Sequence, residues 1–452
     1  METLEKRSPL FTNKMLATMT IPIVLDSLLA IVAGMVDSAM VSTAGEAAVS
    51  AVALVDAINL LFIAAFNGMA IGGSVVTSQY VGKRDYKHAS VSANQLLYLS
   101  TMISLVFMTA LLCLRVQLLR LVYGTIEADV FANAKVYFLF TLLGYPFFAM
   151  GASSGAVLRS MGKNRQAATI TVFYNILNVI GNAVLIYGFK LGVAGAAIST
   201  TVSRMAYAAL GLRLAHNKEL PAHFDGLLKF HLDFDVMRRV ARIGVVNGSE
   251  TSLFYVGKIL IASLLSTFGT VAIAANSVAD TINNIGWNIV GSLGMVLLPV
   301  VGQCVGAGEP EQAKQNMKKI LSAATVLTFI LFTTVFLLRS RLVCLFDFGE
   351  EARSASAYYT GVMALTSMLS LYSFAFVPVH GFRAAGDIRY TSSLSLSSMF
   401  VFRVALVYLL DWIFPDMGLM CICIGQWSDW TFRSVMNLIH FKRGKWLKKC
   451  LV

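Results

Sequence analysis

Asp37 is a carboxylate placed inside an apolar stretch that runs from about residue 15 to 40. A charge in hydrocarbon is costly, so an acid at that depth faces a cavity or a cation, or else sits hydrated near the helix end. Asn178 and Asn182 are four residues apart and share one helix face, where amides serve a ligand or bond to a neighbouring helix. Glu250 precedes Lys258 by two turns, which makes Lys258 its partner or the partner of another buried acid. Asp26 is either a cavity acid or a packing residue. Pro22, four residues before it, removes a backbone hydrogen bond and is the expected bend in the first helix, moving or static. Asn276, Asn284 and Asn288 add polarity to one later helix and are candidates to line a cavity.

Other chemistries find little support. The 6 cysteines lie mostly inside apolar stretches, without a CxxC or Cys/His spacing, and read as small packing residues. The 6 histidines join no His/Asp/Ser grouping, and no phosphate-binding glycine loop precedes a Lys-Ser/Thr pair. An enzyme and an ATP-driven pump are therefore not expected, and no cofactor is implied beyond a coupling ion.

The elements that must position these groups are membrane helices. With 57% hydrophobic and 13% charged residues, the 452-residue chain is not soluble in composition. Twelve apolar segments of spanning length are expected, near 15–40, 49–73, 91–114, 135–158, 167–189, 192–214, 240–265, 275–300, 320–338, 357–382, 394–414 and 417–440. They lack a two-residue alternation, which favours helices over barrel strands. No cleavable signal peptide is evident, so the first helix is expected to be a retained anchor.

The net charge of +12 does not imply nucleic acid, because Lys and Arg crowd one set of connecting segments. Lys6, Arg7, Lys83, Arg84, Lys163, Arg165, Lys229, Lys314, Lys318 and Lys442 to Lys449 would all be cytoplasmic, as would both termini. The basic C-terminal tail is expected to touch lipid headgroups. The bilayer is the expected partner, and a monomer the expected state.

The chain also repeats itself at an offset of 224 residues. Ser42-Thr43-Ala44-Gly45 returns as Ser266-Thr267-Phe268-Gly269, Asp56 and Asn59 as Asp280 and Asn283, Gln79 and Gly82 as Gln303 and Gly306, and Arg159 as Arg383. Asp26 and Glu250 are mates at the same offset. Repetition in both halves marks Asp56/Asn59 and Asp280/Asn283 as shared architecture. The two loops after the repeated glutamines read as tight turns that need glycine. Six spans per half give parallel repeats: lobes 1–214 and 240–452, joined by a cytoplasmic linker at 215–239.

In their order and spacing these elements resemble the MATE (multidrug and toxic compound extrusion) transporters of the MOP flippase superfamily. The matching residues are Pro22, Val36-Asp37-Ser38-Ala39-Met40-Val41, the two Gln-containing loops, the two Arg-x-x-Gly loops, Asn178-Val179-Ile180-Gly181-Asn182, and Gly192 through Thr200. The resemblance covers essentially the whole chain and implies a V-shaped, two-lobed, all-α membrane fold. It also implies efflux of amphipathic organic cations from the cell through the inner or plasma membrane, driven by inward Na⁺ or H⁺ flow. Carried over by position, it places a cation site on Asp37, Asn178, Asn182 and Thr200, which would hold Na⁺ or a proton on Asp37.

Glu250 matches an acid that other branches use for coupling, but the stretch Ser373 to His380 lacks the carboxylate that often accompanies it. Asp37 has Ile261 as its mate and Asn182 has Leu406, so the expected coupling site belongs to the first half alone. The alternative is a lipid or lipid-linked oligosaccharide flippase, which needs a basic cavity. Lys258, Arg204 and Arg403 are the only convincing mid-helix cations, which favours cationic cargo.

Overall fold

The computed structural model describes residues 9–124, 127–226, 231–344, 346 and 349–452. Lys6, Arg7 and Lys229, placed above on the cytoplasmic side, lie outside the described residues. Among those described, the fold is all-α. Its helices are α1 (Asn13–Ser42), α2 (Glu46–Gly82), α3 (Tyr86–Tyr123), α4 (Ala128–Leu143), α5 (Tyr145–Ser160), α6 (Asn164–Asn182), α7 (Gly192–Ala215), α8 (Phe234–Leu265), α9 (Thr270–Gly306), α10 (Pro310–Val343), α11 (Glu350–Leu369), α12 (Tyr372–Ala384), α13 (Ile388–Ser398), α14 (Leu406–Ile413) and α15 (Leu419–Arg443).

Eight spans among the described residues are long and apolar enough to cross a membrane, and counting the bent pairs α4–α5 (45°) and α11–α12 (54°) as single spans gives up to 10. The α6 span continues through a π-helical segment at Ala183–Gly188, and α13 runs through another at Met399–Ala405 into α14. The remaining two of the twelve are α7 (24 residues) and α15 (25 residues). Both were expected as apolar spans; α7 carries Arg204 and α15 carries Asp429 and Arg433, charges that lower their apolar character. Apolar side chains such as Val326, Phe329 and Ile330 on α10 stay exposed, as suits a helix bathed in lipid rather than water.

The repeat is visible in the helix boundaries. α2 and α9 begin and end at the same offset, α3 and α10 start at it, and α5 and α12 end at it. In α7 and α15 the offset has grown by three residues, so the extra residues of the second half enter after α6 and α13 begin. The Arg-x-x-Gly turns match as well, with Gly162 at φ 77° and Gly386 at φ 98°, a left-handed conformation that favours glycine. The expectation of a glycine-requiring turn holds after α9, at Gly308, and needs correcting after α2, where a non-glycine takes the left-handed position. Gly82 and Gly306 close their helices, and the left-handed residues are Arg84 (φ 62°) and its mate Gly308 (φ 72°).

The chain forms two compact units. One comprises the described part of Met1–Thr20 together with Glu250–Leu451, and the other comprises Ile21–Ser249 with Val452. The boundary in α1 falls one residue before Pro22, which sits inside an otherwise continuous helix. The described residues of segment 215–239 pack within the second of these units. Asn94 donates to the Asp225 carbonyl (2.8 Å) and Gln95 to that of His231 (2.7 Å), while Ala222 and Phe224 are buried.

Small residues set the helix spacing inside this unit. A Cβ on Gly151 of α5 would run into the ring of Tyr207 on α7, and one on Gly211 would lie 2.9 Å from the Ser154 Cβ. Gly151→Ala is therefore expected to lower stability by about 1–3 kcal/mol through overpacking. A drop in the melting temperature of the purified protein would show it, and an unchanged value would refute the close approach.

Candidate functional site

Within the unit Ile21–Ser249, α1, α6 and α7 bring together the four residues expected to form the cation site. Asn182 closes α6, is fully buried, and donates its amide to the Asp37 carboxylate on α1. One turn earlier, Asn178 donates to the Thr200 hydroxyl on α7 (3.3 Å), and Ser199 donates to the Asn178 carbonyl (2.9 Å). The spacing of four puts both amides on the same face of α6. Asn182 Oδ1 is buried and has no hydrogen-bond partner among the described residues. An orphaned buried oxygen is costly, and here it lies beside a carboxylate. Oxygen donors of this kind suit a hard cation or a proton on Asp37.

A second carboxylate network belongs to the same unit. Asn59 donates to Asp56 (3.2 Å), the Tyr145 hydroxyl donates to Asn59 Oδ1 (2.8 Å), and the Tyr137 hydroxyl lies 3.5 Å from Asp56. Tyr137 comes from α4 and Tyr145 from the start of α5, on either side of the bend at Gly144. Arg204 on α7 donates to the Thr141 carbonyl (2.9 Å) and lies over the Phe148 ring (5.5 Å). Asp56 was expected to be architectural together with its mate Asp280; Asp56 is held by Asn59 and Tyr137, whereas Asp280 lines two cavities of the other unit. The two tyrosines escaped sequence reasoning, since nothing in their spacing distinguishes them from packing aromatics.

In the other unit Glu250 meets a different partner from the one suggested by its spacing. Its carboxylate accepts from Arg383 on α12 (2.6 Å) and from Ser392 on α13 (2.9 Å). Lys258 is not bonded to it. Asp26 faces Arg159 and the Thr171 hydroxyl in its own unit, and its Oδ1 is buried without a hydrogen bond among the described residues. Because Asp26 and Glu250 are repeat mates, as are Arg159 and Arg383, each unit opposes an acid to an arginine at the same place. The sequence contains both pairs of mates but not the fact that they face each other.

The remaining candidates separate. Lys258, Asn276 and Asp280 line one cavity of ≈ 190 Å³, and Lys258, Asp280 and Asn284 line another of ≈ 290 Å³. Asn276 also accepts from the Tyr359 hydroxyl (3.2 Å). Asn288 instead donates to the Asn284 backbone carbonyl and lines neither cavity. Sequence reasoning missed Asp429, which is buried on α15 and paired with Arg433 at 2.7 Å and Arg403 at 4.0 Å. An acid and an arginine four apart on one helix face was a readable signal.

The basic tail is also held by the fold. Trp446 is fully buried against Phe382, and Lys449 pairs with Asp387 (2.6 Å), which also meets His440 Nε2 (2.9 Å). The tail is therefore anchored on protein through Lys449 and Trp446, beyond any contact with headgroups. Burial alone would raise the Asp387 pKa, but the hydrogen bonds from His440 and Lys449 outweigh it and hold the carboxyl below its ordinary value. A depressed folded pKa gives stability that is present above the unfolded carboxylate value and is lost as pH falls through the folded one. Asp387→Asn is expected to mimic that loss at neutral pH, and faster carboxypeptidase trimming beyond Arg443 would reveal it. Trimming at the wild-type rate would count against the anchor.

Comparison with known proteins follows this geometry. The MatE family model matches residues 22–184 and 249–409, one match in each half of the repeat. Over 440 residues the chain is 25% identical to the uncharacterized transporter YisQ of Bacillus subtilis, covering 96% of this chain and 95% of that one. It is 22% identical over 450 residues to a protein of Thermotoga maritima named "Probable multidrug resistance protein NorM", covering 97% and 94%. The fold superimposes with a TM-score of 0.89 on an outward-facing multidrug resistance MATE transporter, at 18% identity and 96% coverage of both chains. With a family match in both halves and relatives aligned along nearly its whole length, the chain belongs to the MATE family of multi-pass membrane transporters.

Proposed function

We propose that the chain is a secondary active exporter of amphipathic, cationic small molecules, driven by inward movement of H⁺ or Na⁺ through the Asp37 site. The observation that carries this reading is the Asp37–Asn182 contact, with an unpartnered amide oxygen beside it and Asn178–Thr200 one turn away. Relatives named as multidrug resistance proteins support the drug-like cargo. A relative in Shewanella oneidensis is named an FAD transporter, so cargo varies among proteins aligned with this one. These transporter names do not favour the flippase alternative.

In the mechanism, two lobes alternate access to either side of the cell's inner or plasma membrane, in a monomer with both termini cytoplasmic. An ion can shift that equilibrium only through different affinities for the two states. Protonating Asp37, or binding Na⁺ there, changes what Asn182 donates to, and therefore how α1 is held against α6. Pro22 leaves the Thr18 carbonyl without its helical partner, which lowers the cost of bending α1 in response.

Ethidium uptake into everted vesicles under an imposed pH or Na⁺ gradient tests the proposal. Stimulation by either gradient identifies the coupling ion, and stimulation by neither overturns the antiport reading.

A further inference from the structure

The unit containing Glu250–Leu451 has a cavity whose chemistry is opposite to that of the Asp37 site. Its two compartments, ≈ 290 and ≈ 190 Å³, share Lys258, Asp280 and Arg403. The larger is near the lower end of the size range of small-molecule pockets, about 300–1,000 Å³. One wall is a run of rings. Trp287 meets Phe376 (4.9 Å), Phe376 meets Tyr372 (4.8 Å), and Tyr372 meets Trp430 (5.0 Å). Such a wall presents faces and edges to a flat ligand.

The guanidinium of Arg403 carries the argument. Its side chain is only 11% exposed and lies between the rings of Phe254 (5.5 Å) and Trp430 (5.9 Å). Its nearest carboxylate, Asp429, is 4.0 Å away and already hydrogen-bonds Arg433. Among the described residues Arg403 makes no hydrogen bond, and its only ion pair there is the long one to Asp429 Oδ2 (4.0 Å), which leaves its donors available to a ligand. The Lys258 ammonium likewise has no partner among them and is exposed into the same space. Among the described residues, Lys258, Arg403 and Arg433 are set against Asp280 and Asp429, so the cluster carries a surplus positive charge. The first half lacks these two cations at the equivalent places, since Gly34 is the mate of Lys258 and 175–188 contain no Lys or Arg, and its own mid-helix arginine, Arg204, already donates to the Thr141 carbonyl.

We propose that this cavity is a binding site for a planar aromatic carboxylate, its ring against the Trp287–Trp430 wall and its carboxylate on Arg403 and Lys258. A carboxylate matches the guanidinium fork, and burial strengthens such a charge-assisted pair. Asp280, which lines both compartments, disfavours ligands of higher negative charge. The site goes beyond the efflux reading and does not depend on it.

The test is equilibrium binding to the purified full-length protein in nanodiscs, with no ion gradient, so its outcome is independent of transport. The probes are 2-naphthoate, neutral 2-naphthamide and cationic 2-naphthylmethylammonium. Naphthoate is expected to bind saturably and at least about tenfold more tightly than the amide, as a charge-assisted bond predicts. Arg403→Gln is expected to weaken it about ten- to a hundredfold. Lys258→Gln, which leaves the Asp429 pairs intact, is expected to weaken it several-fold. Equal binding of acid and amide, tighter binding of the ammonium, or wild-type affinity in both variants would each overturn the proposal.

Discussion

Asp37→Asn is expected to leave expression and membrane insertion intact while reducing ion-driven ethidium efflux to background. The substitution keeps the size of the side chain and its contact with Asn182, and removes the group that takes up a proton or a cation. Without differential ion affinity between the two states, the gradient shifts nothing, so a loss of at least about tenfold is expected. The measurement is ethidium uptake into everted vesicles, where export runs inward, wild type beside variant, under each gradient in turn. Asn182→Ala provides the companion test: it leaves Asp37 in place without its donor, and an intermediate loss is expected. Normal export by Asp37→Asn would refute the Asp37 mechanism whatever the behaviour of Asn182→Ala.

Glu250→Gln is expected to act on stability first. Glu250 and Arg383 are largely buried, 13% and 9% exposed, and 2.6 Å apart. Removing the acid leaves a buried guanidinium uncompensated, which costs about 3–5 kcal/mol. The melting temperature of the purified variant should fall clearly. The double variant Glu250→Gln/Arg383→Met should recover much of the loss, because an ion pair replaced by packed apolar groups is often neutral. An unchanged melting temperature combined with lost efflux would instead make Glu250 a coupling residue. That comparison separates the two roles left open by the family resemblance.

The chain's membrane character, its helical class and its twofold organisation were legible in the sequence. Long apolar runs fix helix length through bilayer thickness, and an offset of 224 residues forces equivalent helices to recur. The Asp37 group was legible for a more local reason. The spacing of Asn178 and Asn182 follows from helix geometry, and the order of motifs resembles one family along the whole chain.

The partners were harder to read. Glu250 has Lys258 on its own helix, yet its ion pair is with Arg383, 133 residues away. Periodicity reports which face of a helix a residue occupies and says nothing about which helix that face meets. For the same reason Arg403 could be recognised as a mid-helix cation, while its place among the rings and beside Asp429 could not. Local spacing therefore determined the helices, the repeat and the asymmetric Asp37. Tertiary packing alone decided which charges are paired and with which partner, because a buried charge is balanced by whatever neighbour the fold brings within a few ångströms.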